Sequence, residues 1–308
     1  MQSLISTLVV SDGGPGRVYG DEFAVDVFCI GVPRSRSTWL KEIMKGHCQI
    51  YVPEIKEPNY FVRTYNLYRD EDNPTYLCGW DWYRGLYSRA LPGQVRVDFS
   101  VNMLFYKHDS ARLVAKYFPR ARFIVVLRNP IDRTYSHYWY DFAGDLRSIV
   151  PRTFEEALFN SRLVECSRYF EQVRIWLDYF DIAKFYFMFD FDLDADTDLA
   201  MEGLSLFLDV ENIFCKVSKD KVNGCYMYRP FYPPVLRMAS FGRRNGFKKI
   251  VDVIGKSRIG GMVDKYGKRP FQYPAMGQDT RERLKEWLMP DIENLEKLLG
   301  RDLGPWKM

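Results

Sequence analysis

Residues 29–43 read CIGVPRSRSTWLKEI, in which an apolar run meets two arginines, three hydroxyl side chains and the start of a helical pattern. The run from Val27 to Ile30 predicts a buried strand, and the pattern after Thr38 predicts a helix. Such a turn exposes backbone N–H groups at the positive end of the helix dipole. Ser and Thr are also ordinary helix caps. Arginines interleaved with hydroxyls nevertheless favour a phosphate-binding loop.

Strand-like and helix-like segments alternate along the chain. Each apolar run precedes a segment of helical period, the runs being 25–30, 95–99, 122–127 and 184–189 and the helical segments 37–46, 107–118, 130–142 and 196–208. Longer amphipathic helices are predicted at 153–179 and 279–299. This order predicts an α/β fold, a parallel sheet covered by helices. Ligands bind at the carboxyl ends of such strands, which places residues 31–39 and 128–136 at the functional edge.

Length and charge limit the class of protein. With 308 residues, 47% of them apolar, the chain can form one large domain or two small ones. No long linker divides it, so we expect a single domain over 1–308, with an N-terminal extension at 1–24 and an irregular loop region at 218–246. The net charge of only +4 does not favour a nucleic-acid-coating surface, so any anion site is local.

Cysteine usage and apolar runs bear on location. The six cysteines form no CxxC pair, which predicts free thiols in a reducing compartment, although Cys215 and Cys225 are close enough in sequence for a disulfide. The N-terminal apolar run follows no basic region, and no later run reaches about 18 residues. We therefore expect a cytoplasmic protein with no membrane span. Oligomeric state is left open.

A second cluster, RFIVVLRNPIDRTYSHYWY at 122–140, delivers Arg128 to the same sheet edge, with Ser136 two helical turns further on. Together the guanidinium and the hydroxyl predict a clamp for another phosphate. The nucleotide pattern GxxxxGK[ST] would need Gly and Lys where this chain has Arg36 and Ser37, and GxGxxG is absent too. A kinase or NTPase is therefore disfavoured.

Four segments together resemble one superfamily. PRSRSTWL at 33–40 resembles the 5′-phosphosulfate loop of sulfotransferases that use 3′-phosphoadenosine 5′-phosphosulfate (PAPS), and LRNPIDRTYSHY at 127–138 resembles their 3′-phosphate motif LRNPxxRxxSxY. PEIKEPNYF at 53–61 is similar to the KExHYF segment of the heparan-sulfate-type and bacterial branch. The tail from YGKRPFQYP onward resembles the closing loop and terminal helix of the same branch. The resemblance implies the P-loop-like sulfotransferase fold, with about five parallel strands.

The resemblance also implies roles. Arg34 would contact the bridging oxygen and stabilise the leaving phosphate during in-line transfer. Arg128 and Ser136 would hold the 3′-phosphate. The remaining loop residues would bind the 5′-phosphate; these are Ser35, Arg36, Ser37, Thr38 and Trp39. A closing segment would cover the nucleotide; it consists of Tyr266, Gly267, Lys268 and Arg269. PAPS would be the donor and adenosine 3′,5′-bisphosphate (PAP) the product, with no metal.

Two departures from the family pattern matter. Arg36 stands where glycine is usual, so either it adds a contact or the loop sits differently. The family histidine of KExHYF is Asn59 here, so no histidine can act as the base at that point. The resemblance to KExHYF implies Glu57 as the candidate general base for an acceptor hydroxyl. Without the resemblance, Glu57 could equally be a solvated carboxylate paired with Lys56.

The acceptor is the least defined part of the function. Aromatic residues between Tyr76 and Tyr87 either stack on an acceptor or pack in the core. The basic stretch 237–249 would guide an anionic or carrier-bound acceptor, or is a solvated face. We expect O-sulfation of a glycan, a lipid or another hydroxyl compound. The alternatives are a kinase-like phosphotransferase with a degenerate loop and a non-catalytic PAP-binding protein, which Arg36 favours.

Overall fold

Five strands form the central sheet of the computed structural model, which describes residues 23–64, 67–68, 72–144, 146–212, 214, 226–244 and 246–308. The strands β1 to β5 are Val27–Gly31, Ile50–Tyr51, Val95–Phe99, Arg122–Leu127 and Phe185–Phe189. They lie in the order β2-β3-β1-β4-β5, and all pairs are parallel. The α/β fold with about five parallel strands is thereby confirmed.

Helices follow the strands as the periodicity predicts. Helices α1 to α4 are Ser37–Lys45, Trp80–Gly85, Lys107–Tyr117 and Pro130–Ala143. Helices α5 to α9 are Phe154–Ala157, Ser161–Glu165, Tyr169–Leu177, Asp190–Ala195 and Thr197–Leu208, with a 3-10 helix at Ile182–Lys184. After strand β6, Tyr226–Tyr228, come α10 to α12, Tyr232–Arg244, Lys248–Lys256 and Arg258–Gly267. Strand β7, Lys268–Pro270, precedes α13, Gln278–Leu299, and α14, Gly304–Lys307.

The two faces of the sheet carry separate halves of the core. In β4, Phe123 and Val125 face one cluster with the side chains of α4, α7 and α13, whereas Ile124 and Val126 face the other with α1 and α9. This alternation follows from the two-residue period of a strand. Because both faces are covered, β4 reads as one continuous apolar run, and β1 at its side is fully buried.

Two predictions about the connections are wrong. The single helix expected over 153–179 is three short helices. The capping box of Thr153 and Glu156 starts α5, and the Asn160 side chain accepts from the Arg162 N–H and starts α6 anew. Helix α7 begins at Tyr169 without a side-chain cap. The described part of the irregular region 218–246 contains β6 and α10. The adjacent prolines at 233 and 234 lie in the first turn of α10, where a helix needs no N–H donor.

Some predictions fall largely outside the described residues. Of the N-terminal extension only residues 23 and 24 are described, and Cys215 and Cys225 are not described. The four described cysteines, Cys29, Cys48, Cys78 and Cys166, are free thiols. Within the described ranges, no helix has the length and apolar composition needed to cross a membrane.

Candidate functional site

The phosphate-loop segment lies at the carboxyl end of β1, which is flanked by β3 and β4. Two of its residues, Arg34 and Arg36, have left-handed backbones with φ of 75° and 65°. Helix α1 begins at Ser37 without a hydrogen bond from a side chain of its N-cap residue, Arg36. The first N–H groups of α1 therefore lack the usual side-chain acceptor and face the loop.

Ser35 is the most distinctive residue of this loop. It is buried, with 2% of its surface exposed, and its hydroxyl has no hydrogen-bond partner among the described residues. A buried polar group without a partner costs about 1–3 kcal/mol. An anion bound in the loop is the kind of ligand that would satisfy this hydroxyl together with the uncapped N–H groups of α1.

Arg36 settles how the loop accommodates a residue where glycine is usual. Its backbone takes the left-handed conformation that glycine would supply. Its guanidinium contacts Asp194 on α8 at 2.5 Å, with both side chains substantially exposed. The loop thus keeps the glycine-type backbone geometry at this position, and the Arg36 side chain pairs outside the loop.

Arg34 connects the loop to α4. Its Nε donates to the hydroxyl of Ser136 at 3.3 Å, and its guanidinium lies 4.4 Å from the ring centre of Tyr140. Arg128 donates to the carbonyl oxygen of Arg34 at 3.3 Å. The structure therefore brings Arg34, Arg128 and Ser136 together, as the sequence predicts, and adds Tyr140, which the sequence analysis did not single out.

Arg133 is a second residue that the sequence analysis did not single out. Its side chain is fully buried, donates to the carbonyl of Pro33 at 3.3 Å and to Ser167 at 2.9 Å, and contacts Nδ1 of His137. Burial, with the charges of Arg133 and Arg34, holds the pKa of His137 well below its usual value. A neutral imidazole can accept from Arg133, so a buried cation ties the loop to α4.

Glu57 lies in the segment after β2 and also has a left-handed backbone, with φ of 56°. Lys56 contacts its carboxylate at 3.2 Å, and Asn102 donates to it at 3.5 Å. The same Lys56 ammonium donates to Thr38 in the first turn of α1 at 2.6 Å. Lys56 thus joins the candidate base to the phosphate loop. The expected ion pair between Lys56 and Glu57 is present, and it lies next to the loop.

The charges of Arg34 and Glu57 act on the Tyr140 phenol in opposite directions. Burial raises the pKa of this phenol, the positive charge of Arg34 opposes the rise, and the charges of Glu57 and of the Tyr228 phenol add to it. The Arg34 guanidinium stacks on the Tyr140 ring. Lys56 links Glu57 to the same loop. The cation, the carboxylate and the phenol therefore border one region at the sheet edge.

A buried carboxylate anchors the Glu57 segment. Asp98 on β3 is 1% exposed and accepts from Ser100 at 2.5 Å, Tyr83 at 2.7 Å and Tyr87 at 3.1 Å. Ser100 in turn accepts from the backbone of Asn59 at 2.9 Å. Burial raises the pKa of Asp98, whereas these hydrogen bonds oppose the rise.

The aromatic residues before β3 have a packing role. Tyr83 and Tyr87 are buried and hydrogen-bonded to Asp98, and Trp80 packs on Phe118 with ring centres 5.9 Å apart. Tyr76 and Trp82 also pack against this core cluster. Of the two interpretations of these rings, the structure favours core packing.

The remaining predicted residues lie in two places. Trp39 and Ser37 pack beside the loop, with Ser37 buried. The segment 266–269 lies where α12 passes into β7, which pairs with β6 beside α4. Lys268 contacts Asp264 at 2.7 Å, and Arg269 contacts the sulfur of Met227 at 3.0 Å. Gly267 packs against the Tyr232 ring, and Tyr266 is exposed.

No group of three or more potential metal ligands occurs in the part of the chain that the structure describes. The groups that converge at the sheet edge are cations, hydroxyls and backbone N–H donors, together with the Glu57 carboxylate. This is chemistry for binding a phosphate-bearing ligand next to a group that can accept a proton.

Comparisons with known proteins assign the family. A family model described as the sulfotransferase domain matches residues 24–226. The chain therefore belongs to the sulfotransferase domain family, within the superfamily of PAPS-dependent sulfotransferases.

Two human relatives and one solved structure illustrate the similarity. The chain is 23% identical over 289 residues to human heparan sulfate glucosamine 3-O-sulfotransferase 3B1, covering 89% of this chain and 63% of that protein. It is 26% identical over 306 residues to human heparan sulfate glucosamine 3-O-sulfotransferase 6, covering 94% and 75%. A sulfotransferase from Alicyclobacillus acidocaldarius superposes with a TM-score of 0.64 at 19% identity, covering 93% of this chain and 100% of the other, and supports the fold.

Proposed function

We propose that this protein is an O-sulfotransferase that moves a sulfuryl group from PAPS to the hydroxyl of an acceptor, with Glu57 as the general base. The observation that carries the proposal is the bridge made by Lys56, whose ammonium is 2.6 Å from the Thr38 hydroxyl and 3.2 Å from the Glu57 carboxylate. One cation therefore links a phosphate loop to a carboxylate. Family membership favours sulfuryl transfer over the kinase alternative.

The loop residues fit the donor. PAPS, when bound, supplies a sulfuryl group on a phosphate leaving group. The uncapped N–H groups of α1 and the buried hydroxyl of Ser35 would bind the 5′-phosphate. Arg128 and Ser136 would bind the 3′-phosphate through charge-assisted hydrogen bonds. The left-handed Arg36 keeps the glycine-type backbone geometry, so the feature that suggested a non-catalytic protein no longer favours that alternative.

The transfer step assigns a task to each charged group. The acceptor oxygen forms a bond to sulfur while the bond from sulfur to the bridging phosphate oxygen breaks. The acceptor proton passes to the Glu57 carboxylate. Negative charge develops on the departing phosphate, and Arg34, held by Ser136 and Tyr140, stabilises it. Lys56 orients Glu57 toward the loop.

We infer that the acceptor is a glycan, a lipid or another hydroxyl compound. The human relatives are named as heparan sulfate glucosamine 3-O-sulfotransferases, which supports a sugar hydroxyl.

Calorimetric titration with PAP, adenosine 5′-monophosphate and ATP tests the donor site. We expect PAP to bind with a dissociation constant in the micromolar range, about −8 kcal/mol, and the monophosphate to bind much more weakly. Arg128→Ala should remove about 1.5–3 kcal/mol from PAP binding and leave monophosphate binding unchanged. Arg120→Ala, an exposed arginine before β4, is the matched control. Equal or tighter binding of ATP would overturn the proposal.

A further inference from the structure

Residues 226–244 and 246–270, here called the basic helical unit, differ in charge from the rest of the chain. Between positions 226 and 270 the sequence has eleven Lys and Arg residues and two acidic ones, Asp252 and Asp264, a net charge of +9 in a chain whose total is +4. Exposed cations occur along all three helices, namely Arg237 on α10, Lys249 on α11, and Arg258 and Lys265 on α12. The positive charge of the protein is thus concentrated here.

The same three helices expose apolar side chains at helical spacing. Each carries a pair three or four residues apart, and all six side chains are between 39% and 74% exposed: Val235 and Met238, Ile250 and Ile254, Ile259 and Met262. Residues at this spacing share one face of a helix. The helices also contact one another. Three apolar stripes therefore belong to one unit.

Helix α13 buries a stripe of the same spacing. On α13, Leu284, Leu288 and Ile292 follow the same spacing and are at most 1% exposed. Exposed apolar patches rimmed by charge mark interaction surfaces in folded proteins. The basic helical unit therefore has the features of a docking surface.

We propose that the basic helical unit binds the surface of an anionic lipid bilayer. Helices that expose Lys and Arg beside aliphatic residues lie in the interface of such a membrane. Their long cationic side chains reach the headgroups, and their apolar side chains lie among the acyl chains. The helices have 13, 9 and 10 residues, too short for the roughly 20 residues of a span, so they lie on the membrane.

Charge and apolarity together exclude the simpler occupants. A second copy of this chain would bring a net charge of +9 against the same charge, which is repulsive. A sulfated or carboxylated polymer would satisfy the cations and leave six aliphatic side chains in water. Only a surface that offers anions above an apolar layer matches both features.

The surface is continuous with the candidate site. Helix α12 passes directly into β7, which pairs with β6, and β6 contacts α4. Helix α4 carries Tyr140, whose ring stacks on Arg34. Docking would bring the sheet edge near the membrane. Membrane binding is nonetheless independent of the chemistry that the site performs.

Vesicle flotation with the full chain tests the proposal. We expect the protein to float with vesicles of equimolar phosphatidylglycerol and phosphatidylcholine, and to stay at the bottom with phosphatidylcholine alone. Raising the salt to about 1 M, where the screening length is about 3 Å, should reduce binding strongly. Absence of the wild-type protein from the anionic vesicles, or equal flotation with both kinds, would overturn it.

Paired variants locate the surface. Ile254→Ser with Met262→Ser should lower the partition coefficient at least tenfold, as should Lys249→Gln with Arg258→Gln. The matched control is Leu199→Ser with Leu206→Ser, which changes two leucines of α9 that are 65% and 78% exposed. The control should float like the wild type, and circular dichroism should show all three variants folded. A control that loses binding equally would contradict the location.

Two other results would replace the membrane by another partner. Light scattering that shows a dimer, lost in the Ile254→Ser, Met262→Ser variant, would make the stripes an interface between copies. Retention on immobilised heparin without flotation would make the unit a binding surface for anionic polymers. Either result overturns the proposal.

Discussion

The sheet edge around Arg34 and the basic helical unit use the same residue types in opposite ways. At the sheet edge, cations are fixed by specific acceptors, such as Ser136 for Arg34, and aliphatic side chains are buried beneath them. In the basic helical unit, cations and aliphatic side chains are exposed side by side. A site that must hold reacting atoms in fixed positions needs cations held by specific acceptors. A surface that binds a fluid membrane needs only cations and aliphatic side chains that are exposed together.

The largest effect that would sharpen this comparison belongs to the candidate base. Glu57→Gln should lower turnover by about 10²–10⁴-fold, because the amide cannot accept the acceptor proton, and should leave PAP binding unchanged. Transfer of labelled sulfate from PAPS to a screened acceptor measures it. Glu54→Gln, an exposed carboxylate that pairs with Lys45, is the control and should retain activity. Normal turnover by the Glu57 variant would exclude this residue as the base.

Equivalent substitutions in the two regions compare their packing. Ile124→Ala, at a fully buried position of β4, should lower the free energy of unfolding by about 2–5 kcal/mol. Ile254→Ala, on the exposed face of α11, should change it by less than about 0.5 kcal/mol. Urea unfolding measures both. A large loss for Ile254→Ala would mean that this stripe packs within the protein, and the contrast between the regions would fail.

The pH dependence of stability should also differ between the regions. Burial raises the pKa of Asp291 on α13 to about 6, although the Phe170 N–H at 3.1 Å opposes the rise. The folded state then holds this proton more tightly than the unfolded state. The free energy of unfolding should therefore fall as pH rises from about 4 to 6, by at most about 3 kcal/mol.

Denaturant titrations across this pH range check the assignment. Asp291→Asn should flatten the fall relative to the wild type. Asp264, in the basic helical unit, is the comparison: Lys268 holds its pKa below the usual value, so its contribution has the opposite sign and is lost as pH falls. Because Asp264 is about half exposed, Asp264→Asn should alter the curve little. An unchanged slope in Asp291→Asn would contradict the prediction.

The smallest expected effect concerns the ring beneath Arg34. Tyr140→Ala should lower kcat/KM for PAPS roughly fivefold, equivalent to about 1 kcal/mol, because the guanidinium loses its stacking partner. Tyr140→Phe keeps the ring and is the matched control, with kcat/KM close to the wild type. If the phenylalanine variant falls as far as the alanine variant, the phenol rather than the ring would be the group that matters.

The elements that surround the sheet edge were predictable because their patterns are local. Strands β1 and β4 are recognisable from their apolar runs, and helices α1 and α4 from their helical periodicity. The parallel order of the strands then places Arg128 and Arg34 at the same edge of the sheet. The separation of α5 from α6 within 153–179 was not predictable from periodicity, because the cap at Asn160 overrides it.

The contacts between segments were the part that a single sequence does not reveal. Arg133 stands within the motif at 127–138, yet its full burial under the loop depends on Ser167 and His137 in three dimensions. In the sequence Asp98 is a polar residue within a strand and nothing marks its partners. In the structure its carboxylate accepts hydrogen bonds from the hydroxyls of Tyr83 and Ser100. Periodicity locates elements, whereas buried polar networks arise from how those elements meet.

The Lys56 ammonium links two segments of the chain, since it contacts Glu57 beside it and Thr38, which precedes Lys56 by eighteen positions. Neither segment can therefore change alone without altering the other. Without the hydroxyl at position 38, Lys56 would contact the Glu57 carboxylate alone. Without the lysine, the carboxylate would lose the cation that orients it toward the loop. In the descent of this protein, positions 38, 56 and 57 should accordingly vary as one set, so that relatives with a different residue at 56 also depart at 38 or 57.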